Sequence, residues 1–314
     1  KRVIITVKCE IFVWMFYFSN DGNCFAYVFF IVRFYVRYPR ARKEIYIGAD
    51  KISRSSDLIG GFVTVLFEPD HLGFISGSPE RRRRMINISL CQCSKIYTAT
   101  LSQYNKILTS RAALLKAGYS QTAQQTLEVW DEGLCRRAAR IILERGRYIE
   151  ELTEAANTMM QEISSGKETL SIQYKNPYYE KGISEEDIYA QVYQGIKHSR
   201  KKDWETGVTE IGPHRDDVEI LIGGVQAKRF ASTGQKRSAV IAMKLAECDV
   251  LQKRLGVKPV FLLDDVLSEL DEGRKEFILG HIRDYQVIIT DCGRQARPDG
   301  AALLRVTDGL TEYI

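Results

Sequence analysis

The spacing of apolar residues changes twice along the chain. Residues 1 to about 70 hold short runs of β-branched and aromatic residues separated by turn signals such as "NDGN", a pattern typical of strands. From Ser78 onward, apolar residues recur every three or four positions, which is the period of an amphipathic helix. After residue 205, apolar runs of strand length return and alternate with helical stretches. The chain is therefore predicted to be strand-rich at its start, helical in its middle and mixed at its end.

The helical middle is predicted to contain one unusually long helix. Apolar residues mark one face from Glu128 to Ile163, and Gly166 is a suitable stop. At a rise of about 1.5 Å per residue such a helix would reach about 50 Å, a length that suits a projecting arm. A second helix should begin at Ser184, whose spacing to Asp187 is that of a capping box, and run into the basic segment "KHSRKKD".

The C-terminal part alternates strands with helices, as a parallel α/β sheet does. Its predicted elements are strands at "GVTEIG" and "VEILIGG", a helix from Lys236 to about Leu255, a strand from Val260 to Leu263, a helix from about Glu272 to Arg283 and a strand from Gln286 to Thr290. The expected fold class is α/β, with residues 1–70 and 205–314 forming one head and residues 71–204 inserted as a helical arm domain.

Composition narrows the class of protein. Of the 314 residues, 45% are apolar and 27% charged, which is ordinary for a globular protein. The net charge of +5 is mild, so a nucleic-acid partner must be sought in local clusters such as "RRRR". Seven scattered cysteines without a CxxC pair argue against a disulfide framework or a zinc knuckle and favour the reducing cytoplasm. The apolar run from Phe25 to Val36 contains Arg33 and is shorter than the roughly 20 residues of a membrane span, so no membrane partner is expected.

Two adjacent acids follow the most apolar C-terminal strand. In α/β folds ligands bind at the carboxyl ends of parallel strands, which is where Asp264 and Asp265 should lie. Asp264 would then hold Mg²⁺, a cation that prefers oxygen ligands, and Asp265 would orient or deprotonate an attacking water. A plainer interpretation is that both acids cap the helix after the strand, where the macrodipole favours negative charge. The two acids alone leave these alternatives open.

A second candidate site lies upstream, at "STGQ". Ser232, Gly234 and Gln235 stand just before a predicted long helix, so a hydroxyl, backbone amides and the helix N-terminus converge on a potential anion site. An ordinary serine cap followed by a glycine turn would give the same tetrapeptide. The occurrence of this site within about forty residues of the acid-tipped strand and of "SELD" favours a polyphosphate site.

Together, "STGQ" and "VFLLDDVLSELD" resemble the signature motif, Walker B strand and D-loop of the ABC-type ATPases that include the SMC proteins. More narrowly, the chain resembles the RecF family of bacterial DNA repair proteins between about residue 44 and about residue 290. The stretches that carry this resemblance are "LFEPDHL", "GSPERRRRMINISLCQ", "YNKIL", "VWDEGL", "SGKETLSIQY" and "GPHRDDVEILIGG", in that order. The fold that it implies is an ABC-type ATPase head, with a P-loop NTPase-like sheet, and an inserted arm.

The resemblance also implies a role for each motif residue. It makes Ser232, Gly234 and Gln235 the signature that contacts the γ-phosphate of an ATP held by the opposite subunit of a head-to-head dimer. It makes Asp264 the magnesium-linked acid and Asp265 the candidate catalytic base. The D-loop that crosses the dimer interface would contain Ser268 and Asp271, and Thr290 would lie where many ABC proteins carry a switch histidine.

One part of such a site is absent from the sequence. No G-x-x-x-x-G-K-[S/T] loop occurs, and the nearest spacing, Gly207 to Gly212, is followed by Pro213 and His214. In the RecF family this loop lies near the N-terminus, upstream of the region that resembles it here. Either the chain begins downstream of the loop, or residues 1–43 replace it through true loss or an error in the gene model. In both cases the chain by itself is expected to bind ATP weakly or not at all.

By resemblance the protein acts in DNA replication, recombinational repair and the SOS response. It would bind double-stranded DNA beside single-stranded gaps, with ATP and Mg²⁺ as cofactors, slow regulatory turnover, and RecR and RecO as partners. Candidate DNA contacts are Arg81, Arg82, Arg83, Arg84, Lys197, Arg200, Lys201 and Lys202, with Lys228 and Arg229 as further candidates. Such charge runs are more often solvated helix faces.

Two other functions remain open. A metal-dependent nuclease could use Asp264 and Asp265, but it would need further acids or histidines at the metal and would cut DNA without nucleotide. A non-catalytic remnant, or a truncated fragment, would keep the fold without binding ATP. His214 in "GPHRDD" is taken as a hydrogen-bonded structural residue rather than a metal ligand.

Overall fold

The structure is a computed structural model that describes residues 50–290 and residue 302, together with the backbone of strands at 6–9, 12–18, 24–28, 34–37, 44–47, 304–307 and 310–313. The chain divides into two compact units. The sheet unit comprises Lys1–Pro69 and Lys258–Ile314, and the helical unit comprises Asp70–Val257. From the sequence, residues 205–257 were assigned to the head, but in the structure they belong to the helical unit.

The sheet unit is built mainly of strands, as the sequence predicts for its N-terminal part. In chain order its elements are β1 (Thr6–Cys9), β2 (Phe12–Phe18), β3 (Cys24–Val28), β4 (Phe34–Arg37), β5 (Glu44–Ile47), β6 (Asp50–Ile52) and β7 (Thr64–Phe67). β1, β2 and β3 form one antiparallel sheet, and β4, β5 and β6 form another.

The helical unit follows β7 directly. Its elements are α1 (Gly73–Ser76), α2 (Pro79–Cys93), α3 (Lys95–Ala117), α4 (Gln121–Ile163), β8 (Leu170–Lys175), α5 (Glu185–Thr206), β9 (Asp217–Ile222), β10 (Val225–Gln226), α6 (Ala227–Phe230) and α7 (Thr233–Leu255). The chain then returns to the sheet unit with β11 (Val260–Asp264), α8 (Glu272–His281), β12 (Val287–Thr290), β13 (Leu304–Thr307) and β14 (Leu310–Tyr313).

A three-stranded parallel sheet forms the core of the described part of the sheet unit. β11 is the middle strand, and it pairs in parallel with β7 on one side and β12 on the other. Leu263 lies opposite Phe67, and Asp264 lies opposite Thr290. Because Phe67, Phe261 and Leu263 are at most 1% exposed, the apolar run that precedes the acids is a buried central strand, as predicted.

Helix α4 is the axis of the helical unit. Its 43 residues make it about 65 Å long, and it packs against α3, α5, α7 and β8. The helix begins earlier than the apolar pattern indicates because Ser120 acts as its N-cap, accepting a hydrogen bond from the backbone N–H of Ala123 at 3.1 Å. The polar first two turns carry no continuous apolar stripe, and Val129 is 73% exposed.

The helical unit also contains an antiparallel sheet of β8, β9 and β10, of which only β9 was predicted. The prediction of a strand at "GVTEIG" was wrong, since residues 207–212 have no strand partner in the described part of the chain. Its backbone groups form hydrogen bonds with side chains instead. The Glu210 N–H donates to Asp203 at 3.1 Å, and the Thr209 carbonyl accepts from His214 at 2.9 Å and Arg215 at 3.1 Å.

Buried ion pairs connect the long helices of this unit. The guanidinium of Arg111 on α3 contacts Asp131 on α4 at 2.9 Å and Asp203 on α5 at 2.8 Å, and all three side chains are fully buried. It also donates to the Thr209 hydroxyl at 2.7 Å. Removing one member of such a buried pair costs about 3–5 kcal/mol because the other charge stays behind unpaired. Among the described helices, none has both the length and the apolarity of a membrane span.

Candidate functional site

The two candidate acids stand at the carboxyl end of β11, as predicted. Asp264 is the last residue of the strand and is exposed, while Asp265 is partly buried one residue further on. This is the edge of the parallel sheet where α/β folds bind ligands. An exposed carboxylate at this position offers the hard oxygen ligands that Mg²⁺ prefers.

Thr290, the last residue of β12, connects both acids through one hydroxyl group. Its Oγ1 donates to the Asp264 carboxylate at 2.5 Å and accepts the backbone N–H of Asp265 at 3.1 Å. The same N–H also donates to the Thr290 carbonyl at 3.0 Å. Asp265 has a φ of 51°, an uncommon left-handed conformation for a non-glycine residue, and these contacts hold it there. Thr290, whose role the sequence left open, therefore orients the Asp264 carboxylate and holds the backbone of Asp265.

The D-loop residues have two different surroundings. Ser268 donates its hydroxyl to the Asp265 carbonyl at 2.8 Å and to the Asp265 carboxylate at 3.2 Å, so it supports the candidate base directly. Asp271 is the N-cap of α8 and accepts the backbone N–H of Arg274 at 3.0 Å. That backbone bond, followed by the bond from the Arg274 side chain, lowers the pKa of the Asp271 carboxyl. Asp271, and neither of the two acids, therefore caps the helix after the strand.

In the helical unit, the signature residues form the start of α7. Ser232 is the N-cap, and its hydroxyl accepts the backbone N–H of Gln235 at 3.2 Å. In return the Gln235 side chain accepts the Ser232 N–H at 2.8 Å, which completes a capping box. The Ser232 hydroxyl is exposed and, because it only accepts in this box, retains its own O–H for donation. Gly234 lies in the first turn of the same helix.

The segment "GPHRDD" forms a buried polar cluster. The Asp216 carboxylate accepts from Arg145 at 3.0 Å and from Asn176 at 2.6 Å, and it also accepts the Tyr174 hydroxyl. Burial raises the pKa of this carboxyl against the opposing effect of Arg145. The neighbouring Arg215 is exposed, and its guanidinium donates to the Thr209 carbonyl at 3.1 Å and lies 3.6 Å from the Glu210 carboxylate.

His214 in the same segment has a structural role. Its Nε2 lies 2.9 Å from the Thr209 carbonyl and therefore carries the proton, so its Nδ1 accepts the Tyr104 hydroxyl at 2.6 Å. Burial lowers the pKa of the imidazole to about 4, which keeps it neutral. Within the described residues, no group of three or more histidines, cysteines and acids is placed to hold a metal ion.

Comparisons with known proteins decide the family. The chain is 37% identical over 276 residues to the DNA replication and repair protein RecF of Clostridium novyi (strain NT), a match that covers 87% of this chain and 75% of that protein. The RecF of Clostridium kluyveri is also 37% identical, over 82% of this chain and 69% of that protein. The chain belongs to the RecF family of DNA replication and repair proteins. No family model matches it.

Solved RecF structures agree with this assignment. One, described as "the recombination mediator protein RecF-ATPrS in RecFOR pathway", has a TM-score of 0.83 and 31% identity, covering 98% of this chain and 81% of that chain. Another, of RecF-ATP in the same pathway, has a TM-score of 0.82 and 33% identity, covering 93% and 79%. The predicted fold class, an α/β ABC-type ATPase head, is thereby confirmed.

The arginine run of this RecF-family chain does not act as a single basic patch. Arg82 is buried, and its guanidinium contacts the Asp217 carboxylate at 2.7 and 3.0 Å and the Gly77 carbonyl at 3.0 Å. Burial alone would raise the pKa of the Asp217 carboxyl, but the hydrogen bonds from Arg82 and from the Val218 N–H outweigh it and lower that pKa. Arg82 is thus the member least available to DNA.

Its neighbours in the run have different surroundings. Arg83 donates to the Asp216 carbonyl at 2.5 Å and is partly buried. Arg81 is exposed and pairs with the exposed Asp70 at 3.0 Å. Arg84 is exposed on α2. A DNA phosphate could therefore reach Arg84 directly, and Arg81 by competing with a weak surface ion pair.

The basic residues of α5 lie elsewhere on the helical unit. Arg200 contacts Glu128 at 2.9 Å and the buried Asp131 at 2.8 Å, and Lys202 pairs with Glu210 at 3.0 Å. Lys197 and Lys201 are exposed. Arg83 binds Asp216, which also binds Arg145 of α4, whereas Arg200 binds Glu128 of the same helix. Arg145 and Glu128 lie about 25 Å apart along α4, so the arginine run and the basic residues of α5 are well separated on the helical unit.

A third basic segment precedes the signature. Lys228 reaches the Gly77 carbonyl at 3.4 Å, which places α6 beside the start of α2. Arg229 is exposed, and so is the aromatic ring of Phe230 at 69%. The structure therefore brings Lys228 and Arg229 close to the arginine run.

Proposed function

We propose that this chain is an ATP-controlled DNA-binding protein of recombinational repair, which closes on gapped DNA as a dimer with two nucleotides held between the partners. The proposal rests on its membership of the RecF family and on the ATP and ATPrS named for the two RecF structures. It also rests on the signature turn and the acid pair, which carry the two chemical functions that such a nucleotide site needs.

One observation supports this proposal over the plainer interpretation of the acids. Two carboxylates after a buried strand often do no more than cap the next helix, but here Asp271 caps α8. Asp264 and Asp265 instead share contacts with the single Thr290 hydroxyl at the carboxyl end of the sheet. This arrangement supports a role for the oriented Asp264 carboxylate in holding a nucleotide-bound cation.

Each residue then has a distinct task. Mg²⁺, when bound with ATP, would offset the negative charge on the phosphates. Asp264 would hold this ion, directly or through water, and Asp265, oriented by Ser268 and Thr290, would direct a water molecule. The Ser232 O–H and the N-terminus of α7 would donate to the γ-phosphate of a nucleotide bound by the second copy.

DNA binding would rely on the exposed basic residues of the helical unit. Arg84, Lys197, Lys201 and Arg229 present charge without a buried ion pair, so they suit sequence-independent contact with phosphates. We further propose a role in the SOS response, RecR and RecO as partners, and a cytoplasmic location. The RecFOR pathway named for the solved RecF structures supports the choice of these partners.

The proposal is tested by sedimentation of the chain with ATP and Mg²⁺, beside an extended chain that carries a phosphate-cradling loop at its N-terminus. The extended chain should bind ATP and dimerise. Ser232→Arg should abolish its dimerisation and leave ATP binding by each monomer intact, since the added bulk blocks the face offered to the partner. Asp264→Asn should reduce hydrolysis by about tenfold or more, because the variant loses a magnesium-linked charge.

Three results would contradict the proposal. Failure of the extended chain to bind ATP would favour a non-catalytic remnant. Equal dimerisation of Ser232→Arg and its parent would exclude the role of the signature in trans. Cleavage of DNA by the chain in Mg²⁺ without nucleotide, abolished by Asp264→Asn, would favour the nuclease alternative.

A further inference from the structure

The side-chain amide of the signature glutamine is held at both ends. Gln235 Oε1 accepts the Ser232 N–H at 2.8 Å, and Gln235 Nε2 donates to the Glu168 carboxylate at 2.8 Å. A backbone N–H can only donate and a carboxylate can only accept, so the chemistry of the two partners fixes which way the amide points. Turning the amide over would place donor against donor and acceptor against acceptor.

Glu168 is itself fixed by the turn that ends α4. Its backbone N–H donates to the Ser164 hydroxyl at 3.0 Å, and the Gly166 N–H donates to the Gln161 carbonyl at 2.7 Å. The turn depends on left-handed backbone at Gly166, where φ is 78° and a residue with a Cβ would be strained. The end of the long helix therefore fixes the backbone of Glu168 beside the signature, and the Glu168 carboxylate reaches Gln235 from there.

The adjoining sheet holds the same turn from the other side. The carbonyl of Thr169, the next residue, accepts the Gly223 N–H at 2.9 Å, and β8 begins one residue later. Glu168 thus lies where α4, the β8–β9 sheet and the start of α7 meet. A shift of α4 or of the sheet relative to α7 would change the distance between Glu168 and Gln235.

We infer that Glu168 is a positioning residue through which the end of α4 sets the geometry of the signature turn. The inference rests on the proposed function of Ser232 as a donor to the nucleotide of a second copy. Glu168 need not touch the nucleotide: it orients the Gln235 amide, the amide holds the Ser232 backbone, and the Ser232 hydroxyl then keeps its direction. Without Glu168 the amide can turn over, and the capping box loses one of its two bonds.

The first test is hydrogen exchange on the chain itself, which requires no nucleotide. In Glu168→Ala the backbone N–H of Ser232 should exchange about fivefold faster, because its acceptor, Gln235 Oε1, is no longer held in place. Glu168→Gln keeps an acceptor for Gln235 Nε2 and should behave like the parent. Lys167→Ala, a change of the exposed neighbouring side chain, is the matched control and should have no effect.

Two exchange results would overturn the inference. One is unchanged exchange of the Ser232 backbone N–H in Glu168→Ala. The other is equal disturbance in Glu168→Ala and Glu168→Gln together with faster exchange along the whole of α7, which would mean that the residue supports the fold and not the turn.

The second test measures ATP-dependent dimerisation of the extended chain. Glu168→Ala should weaken it about five- to tenfold, with ATP binding by each monomer unchanged and with recovery in Glu168→Gln. A disturbed turn with parental dimerisation would refute the positioning role. If the parent extended chain does not dimerise, the proposed function fails, while the exchange experiment still decides whether Glu168 fixes the signature turn.

Discussion

The arginine run allows a specific prediction, because substitutions of two nearby residues should affect different properties of the protein. We consider Arg82→Ala and Arg84→Ala, two changes of the same type on the same helix. Arg82 makes two bonds to the Asp217 carboxylate, at 2.7 and 3.0 Å, and one to the Gly77 carbonyl at 3.0 Å. Arg84 is exposed. The first change should destabilise the protein, and the second should weaken DNA binding.

The magnitude for Arg82 follows from its burial. Hydrogen bonds to a charged group contribute about 1.5–3 kcal/mol each, and breaking a buried ion pair from one side costs about 3–5 kcal/mol. The Asp217 side chain is 36% exposed, so water can solvate its carboxylate after the change. We therefore expect a loss of about 2–4 kcal/mol in the free energy of unfolding. For Arg84 the change in stability should stay within about 0.5 kcal/mol.

Urea unfolding followed by tryptophan fluorescence measures the first quantity, since Trp130 and Trp204 both lie in the helical unit. Binding to a fluorescent duplex over a range of salt concentrations measures the second. Arg84→Ala should lower the salt dependence of binding by about one phosphate contact, and Arg82→Ala, where it remains folded, should leave that dependence unchanged. Parental stability of Arg82→Ala, or a reduced salt dependence for that variant alone, would refute the reasoning.

Three further predictions concern other parts of the molecule. His214 has a folded pKa of about 4 against about 6.5 when unfolded, so the unfolded state binds more protons between these values. This group should remove about 2 kcal/mol of unfolding free energy from about pH 7 to about pH 5, and His71, whose pKa burial also lowers to about 4, should add a loss of its own. In urea titrations over this range, His214→Gln should therefore lose about 2 kcal/mol less than the parent. Thr290→Val should reduce ATP hydrolysis by the extended chain about tenfold without a change in thermal stability, and Thr290→Ser should retain activity, because only the hydroxyl orients Asp264. Gly146→Ala should lower the free energy of unfolding by about 1–3 kcal/mol, because a Cβ there would lie 2.0 Å from the Tyr179 ring; unaltered urea unfolding would show that the ring moves aside without cost.

Much of the fold could be predicted from local pattern. The strand from Val260 ends in the acids, as its apolar run indicates, and the helix predicted from Ser184 starts there because its cap is a property of neighbouring residues. Helix α4 was predicted at the correct place, but its predicted start was too late, since its first turns depend on the Ser120 cap and contain few apolar residues. The strand expected at "GVTEIG" did not form, because side chains only five to seven positions away, those of His214 and Asp203, form hydrogen bonds with its backbone groups.

Part of the candidate site could likewise be predicted from local pattern, and part of it could not. The sequence alone determined that Ser232 opens a helix and that Asp264 and Asp265 end a buried strand, because capping and apolar runs are local. Only the tertiary structure decided which charges are available and which residues orient the site. Arg82 meets Asp217 across 135 positions, and Thr290 reaches Asp264 across 26. Helical or strand periodicity sets the face on which a side chain lies, but the partner it meets there is set by how separate elements pack.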